Sequence, residues 1–365
     1  WEMLPNGDFG LRAPKGPISE ECNFDVLSDG KTIYAIHRSV DGYLCQSVSH
    51  DLGLTFDDKN FAKYSPNGRY IKNPRGPAIM RKFNNGKFLL LFYNNSTPTH
   101  DCRNPYWISG GIEKYGTVYW SEPEIALYDL NPFERPGYAD FYEEDGEYYI
   151  ACTQKKVARI HQIHPDLMEV LWNFENIDEV AKQGLVRELS TGNLAGKEMK
   201  RPDFLKEDNS HKIQSFAIDI KFRLNTLKTG QEFINTLNEA GEGILVDFTP
   251  RGSTRLFMSD KTGEVFECES DPGLIQEGKW HYLTINVDAD SRVVSFIVDG
   301  KICDGGTDRR FGWTRLHPYI WTPYGSDNMK IGTGLEGNIE TLRFYERYLL
   351  TNEAVGNYRA STGME

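Results

Sequence analysis

Short β-rich runs joined by Asx-Gly turns are the feature that most restricts how this chain can fold. Asp29-Gly30, Asp41-Gly42, Asn84-Asn85-Gly86 and Asp145-Gly146 each separate two such runs, and an Asx-Gly pair in that setting is a strong hairpin signal, because both turn positions tolerate positive φ. The pattern predicts strands over 25–28, 32–37 and 43–48, a hairpin of 77–83 with 87–93, strands over 117–120 and 124–128, a hairpin of 139–142 with 147–152, and a strand over 157–163. Repeated small antiparallel sheets read as propeller blades, three of them within 20–173. A closed propeller takes about four blades or more, so further blades are expected upstream of Trp1.

Ile177, Val180, Ala181, Leu185 and Val186 recur at helical spacing, which predicts a helix over 176–190. The polar stretch 191–210 is the expected boundary, giving a propeller domain over 1–205 and a second domain over 206–365. The second half reads as all-β, with strands over 216–224, 243–248, 254–258, 280–287, 292–298 and 338–344, and a turn at Asp299-Gly300. The expected fold class is all-β: propeller blades, incomplete on the N-terminal side, followed by a β-sandwich.

Composition narrows the function. The 365 residues include 19 Tyr, 20 Phe, 7 Trp and 34 Gly, a mix suited to strands and tight turns. A net charge of −12 disfavours nucleic acid as a partner. No apolar run of about 18 residues is present, so membrane insertion is not expected. The six cysteines, Cys22, Cys45, Cys102, Cys152, Cys268 and Cys303, form no CxxC pair, and neither a metal nor a cofactor is expected. Cys268 and Cys303 share a domain and could pair. Asn94-Asn95-Ser96-Thr97 holds two overlapping glycosylation sequons, a weak pointer to secretion.

Ser49-His50-Asp51-Leu52-Gly53-Leu54-Thr55-Phe56 fits the Asp-box pattern S-x-D-x-G-x-T-[W/F]. Its logic is that of a turn: Gly53 permits positive φ and the Asp51 carboxylate accepts backbone N–H groups. A structural role is therefore expected of it.

Around this box the chain resembles the sialidase superfamily over roughly 18–155. Glu21 precedes Asp29-Gly30, Arg38 ends the next strand, and the box follows. Arg103-Asn104-Pro105, Trp120-Ser121-Glu122-Pro123 and Gly137-Tyr138-Ala139-Asp140 then appear in the family's order. The resemblance implies Tyr138 as nucleophile and Glu21 as the carboxylate that takes its proton, with Arg38 and Arg103 binding a sugar carboxylate. A neutral phenol suits an anomeric carbon that bears a carboxylate, and sialidases are the glycosidases that use one. Arg75, Glu124, Asp140 and Gln154 are further candidates for substrate contact. Gln154 stands where the family often has an acid, which leaves the identity of the acidic sugar open. The family's first arginine and its acid/base Asp have no good match; Arg12 and Asp8 stand in a different setting, so either both lie upstream of Trp1 or this branch lacks sialidase chemistry.

Gly278-Lys279-Trp280-His281-Tyr282-Leu283-Thr284-Ile285, Phe296-Ile297-Val298-Asp299-Gly300 and the 337–345 stretch resemble laminin-G/concanavalin-like domains. Such domains bind glycans or brace a neighbour, and some bind calcium; Asp247 and Asp327 are the possible ligands, without a dense carboxylate cluster. The leading expectation is a secreted or periplasmic exo-acting glycoside hydrolase that releases a terminal acidic sugar, its partner being an acidic oligo- or polysaccharide. The alternatives are a propeller polysaccharide lyase, with Tyr138 or His161 as base, and a non-catalytic glycan-binding protein.

Overall fold

The computed structural model describes residues 16–99, 103–153, 157–205 and 212–363. Asp8, Arg12, Cys102 and Gln154 lie outside them. The chain divides into two compact units, Trp1–Asn176 and Ile177–Glu365.

Among the described residues, the first unit contains three consecutive antiparallel sheets. β1 (Ser19–Val26), β2 (Ile33–Ser39), β3 (Cys45–Ser49) and β4 (Asn60–Phe61) form the first in simple order. β5 (Ile79–Lys82), β6 (Phe88–Phe92), β7 (Tyr106–Lys114) and β8 (Thr117–Trp120) form the second, with β9 (Glu124–Leu127) paired to β7. β10 (Gly137–Glu144), β11 (Glu147–Thr153) and β12 (Ala158–Gln162) form the third. The hairpins expected at Asn84-Asn85-Gly86 and Asp145-Gly146 are present, and the three sheets correspond to the three expected blades.

Two elements of this unit are not marked by the hairpin pattern. β7 is the strand around which the second sheet is built, yet its centre is Gly110-Gly111. A Cβ on Gly110 would lie 2.0 Å from the Leu171 carbonyl oxygen, and one on Gly111 would lie 2.6 Å from the Trp120 ring. The glycines are there because a helix and an indole pack directly on the strand backbone. That helix, α1 (Pro165–Trp172), is capped by His164, whose Nδ1 accepts from the Asp166 N–H at 3.3 Å, with Pro165 in the first turn. It buries Met168, Leu171 and Trp172 in a core with Phe83, Leu89, Ile108 and Phe141.

Residues 176–190 are not a helix. β13 (Leu185–Leu189) instead pairs with β25 (Gly337–Tyr345), and β14 (Lys197–Lys200) pairs with β24 (Asn328–Ile331), along with the strands introduced next. Gly184, at φ +72°, interrupts any helix there, and the free edge of a large sheet offers residues 185–189 backbone partners. The segment 177–205 therefore belongs to the second unit, and the boundary falls at Asn176/Ile177 rather than after residue 205.

The rest of the second unit comprises β15 (Phe216–Leu224), β16 (Glu232–Asn235), β17 (Gly243–Phe248), β18 (Thr254–Ser259), β19 (Val265–Glu269), β20 (Trp280–Asp288), β21 (Val293–Val298), β22 (Lys301–Ile302), β23 (Thr314–Arg315) and α2 (Thr351–Thr362). One sheet runs β13-β25-β15-β20-β21-β22, with β23 on β21; the other runs β14-β24-β16-β17-β18-β19. Ile218, Ile220, Phe222 and Leu224 of the first meet Ile244, Val246, Leu256 and Met258 of the second in one core, which makes this unit a sandwich. On the other face of β15 the fully buried Asp219 accepts hydrogen bonds from Tyr282, Thr284 and Asn357 of α2. Burial raises the Asp219 pKa, and Thr284, Tyr282, Arg343 and Asn357 oppose that rise without reversing it.

Two further expectations are corrected here. Cys268 and Cys303 are both buried and form no disulfide with each other, the Cys303 Sγ accepting instead from the Asp271 N–H at 3.4 Å. Asn94 and Asn95 of the sequons are buried, 1% and 0% exposed, and Asn95 is engaged with the Tyr93 carbonyl and the Thr97 N–H. They offer no accessible acceptor for a glycan.

Candidate active site

The turn of residues 49–56 is closed as its residues demand. Asp51 Oδ1 accepts from the Thr55 N–H at 2.8 Å and Oδ2 from the Thr55 hydroxyl at 2.6 Å, while Ser49 Oγ accepts from the Gly53 N–H at 2.8 Å. These bonds hold the Asp51 carboxyl below its usual pKa. Asp51 is consumed by the turn and takes no part in the site.

Two β-bulges place the candidate residues. In β1–β2, Ser19 is opposite Ser39 and Cys22 opposite His37, so Glu20 and Glu21 both face Arg38. Arg38, 7% exposed, has its Nε 3.0 Å from Glu20 Oε2 and an Nη 2.9 Å from Glu21 Oε2. Arg75, from the loop before β5, reaches the same Glu20 carboxylate, 2.5 Å from Oε1 and 3.3 Å from Oε2. Guanidinium groups from two separate segments thus converge on one carboxylate. That pairing raises the Arg75 pKa further.

Arg103 joins this group through the backbone, donating to the Arg75 carbonyl at 2.5 Å. A Cβ on Gly76 would lie 2.9 Å from the Tyr93 ring and 3.2 Å from Arg103 Nε, so glycine at this position lets the loop lie against both. Tyr93 stacks on Tyr106 at 4.3 Å and an angle of 4°, and its hydroxyl donates to the Pro136 carbonyl at 2.6 Å. Burial pushes the Tyr93 hydroxyl pKa up; Tyr138 adds to the rise and Arg103 opposes it. Arg103 and Tyr138 therefore both lie within electrostatic reach of one buried phenol.

Tyr138 sits in the second bulge. Gly137 is opposite Thr153 and Asp140 opposite Ala151, leaving Tyr138 and Ala139 to face Cys152. Its φ is +46° and its side chain is 63% exposed. For a bulky residue the left-handed region is strained by about 1–2 kcal/mol, and such strain is concentrated at working sites. Among the described residues the phenol has no hydrogen-bond partner, and none joins it to Glu21. Glu21 is held by Arg38 instead.

Asp140 is engaged elsewhere, with both its oxygens paired to Arg81, at 3.0 and 3.2 Å, on an exposed patch. Glu124 is 3% exposed at the start of β9, opposite Ile108, and so is not presented to solvent. His161 lies on β12 opposite Ile150, its pKa lowered by burial and by Arg159. No group of three potential metal ligands occurs among the described residues. Sequence reasoning missed Glu20 and Tyr93. Glu20 is signalled only by the Glu20-Glu21 doublet, since strand alternation alone would send one of the two acids away from Arg38.

No curated protein matches the sequence. Among solved structures, the carbohydrate-binding module CBM40 of the Ruminococcus gnavus IT-sialidase, bound to α2,3-sialyllactose, is similar at 13% identity over 47% of this chain and 98% of that chain, with a TM-score of 0.36. The Trypanosoma rangeli sialidase is similar at 13% identity over 94% of this chain and 62% of that chain, with a TM-score of 0.33. The leech intramolecular trans-sialidase, complexed with 2,7-anhydro-Neu5Ac, is similar at 11% identity over 50% of this chain and 29% of that chain, with a TM-score of 0.38. Residues 204–355 match the Laminin_G_3 family model, described as the concanavalin A-like lectin/glucanases superfamily, in agreement with the two-sheet sandwich that those residues help to build.

Proposed function

We propose that the first unit binds a terminal acidic sugar and cleaves it with retention, outside the cytoplasm. The observation that carries this reading is the convergence of Arg38 and Arg75 on a single carboxylate, with Arg103 bonded to the Arg75 backbone. Planar guanidinium groups arranged this way suit a carboxylate, which they bind in two-point fashion. Tyr138 supplies a neutral nucleophile that an anionic sugar does not repel. For attack, its proton must pass to a base as the phenol oxygen bonds to the anomeric carbon and the aglycone leaves; water then releases the sugar. Glu21 is that base on this reading, once it exchanges Arg38 for the phenol. Asp140 has no part in it.

A second reading is favoured by one observation: Glu21 is tied to Arg38 at 2.9 Å, and among the described residues no hydrogen bond joins it to the Tyr138 phenol. The unit would then bind acidic sugar without turning it over. Product analysis with Tyr138→Phe separates the two. On the catalytic reading, wild type releases free acidic sugar from an aryl glycoside, while Tyr138→Phe loses at least about a hundredfold in rate with binding retained. Equal release by both would remove Tyr138 from the mechanism. An unsaturated product would favour a lyase.

A further inference from the structure

We infer that Glu20 is a built-in occupant of the anion subsite, and that an acidic ligand binds by displacing it. The inference deepens the proposed function and rests on it. The bulge at Glu20 and Glu21 is the device that makes it possible: an extra residue in β1 brings two acids to face Arg38 where regular pairing would bring one. Glu21 alone can neutralise Arg38, at 2.9 Å. Glu20 does something else. It spans Arg38 and Arg75, with one oxygen 3.0 Å from Arg38 Nε and the other 2.5 Å from Arg75.

A carboxylate bridging two guanidiniums has the geometry those groups would give a ligand carboxylate. Glu20 therefore holds the two arginines at carboxylate spacing while no ligand is bound. The same contact competes with the ligand. The groups differ in exposure: the Arg38 side chain is 8% exposed, that of Glu20 30% and that of Arg75 43%, so Glu20 has a path out towards water on the side of Arg75, where an incoming anion would arrive. A neutral sugar cannot displace Glu20, so the contact also discriminates in favour of acidic ligands.

The test is calorimetric titration of the full chain with 3′-sialyllactose and with trigalacturonic acid, lactose serving as the uncharged control. Displacement predicts that Glu20→Gln binds the preferred acidic sugar about tenfold more tightly than wild type, a change of about 1.4 kcal/mol, with lactose unaffected. Glu20→Asp, one methylene too short to span both arginines, should also bind more tightly, and serves if Glu20→Gln does not fold. If Arg75→Gln loses acidic-sugar binding while both Glu20 variants bind no better than wild type, displacement is wrong and the arginine reading stands. If Arg75→Gln binds as well as wild type, or no variant binds either acidic sugar, the arginine reading itself fails.

Discussion

Tyr138 combines three properties that a structural tyrosine does not need: positive φ, a bulge, and an exposed phenol with no hydrogen-bond partner among the described residues. None is visible in the string Gly137-Tyr138-Ala139-Asp140, where spacing marks the residue and backbone strain does not show. The strain makes a prediction separable from activity. Tyr138→Asn keeps a side chain that tolerates the left-handed region, so thermal unfolding should show no loss of stability and a gain of up to about 1 kcal/mol, while sugar turnover is lost. A marked drop in melting temperature would mean that the phenol packs rather than works. Asp140 shows the opposite limit of sequence reading. Two positions from Tyr138 it shares the exposed side of the strand, yet its carboxylate pairs with Arg81, a partner that spacing alone does not reveal.

At the scale of elements, what the sequence disclosed follows from where the turn chemistry sits. Hairpins with Asp-Gly or Asn-Gly corners were legible because the corner residues are dictated locally. β7 was not, because its Gly110-Gly111 centre answers to α1 and Trp120, which lie outside the strand. The helix expected over 176–190 failed for a similar reason. Its apolar spacing fits a helix, but a distant sheet edge on β25 claims 185–189 as a strand. Gly110→Ala should be costly although it adds one methyl group. A Cβ 2.0 Å from the Leu171 carbonyl must push α1 off the strand, at about 2–3 kcal/mol, read as a lower denaturation midpoint with an unchanged slope. A neutral Gly110→Ala would show that α1 is not seated on β7.

For the whole molecule, the order of units was legible and their border was not. The sandwich was announced by its long apolar strands over 216–224 and 280–298, while two of its edge strands, β13 and β14, lie upstream of residue 205 among polar residues that resemble a linker. Charge has a similar division. A chain of net charge −12 is a poor host for anions in general, so any preference for an acidic sugar must come from one locality, and on the proposed reading Arg38, Arg75 and Arg103 are that locality. That preference is read directly as the ratio of dissociation constants for 3′-sialyllactose or trigalacturonic acid against lactose on the wild-type chain, at physiological ionic strength. If the arginines form an anion site, one of the acidic sugars binds at least about tenfold more tightly than lactose; equal affinities for acidic and neutral sugars would mean that they do not.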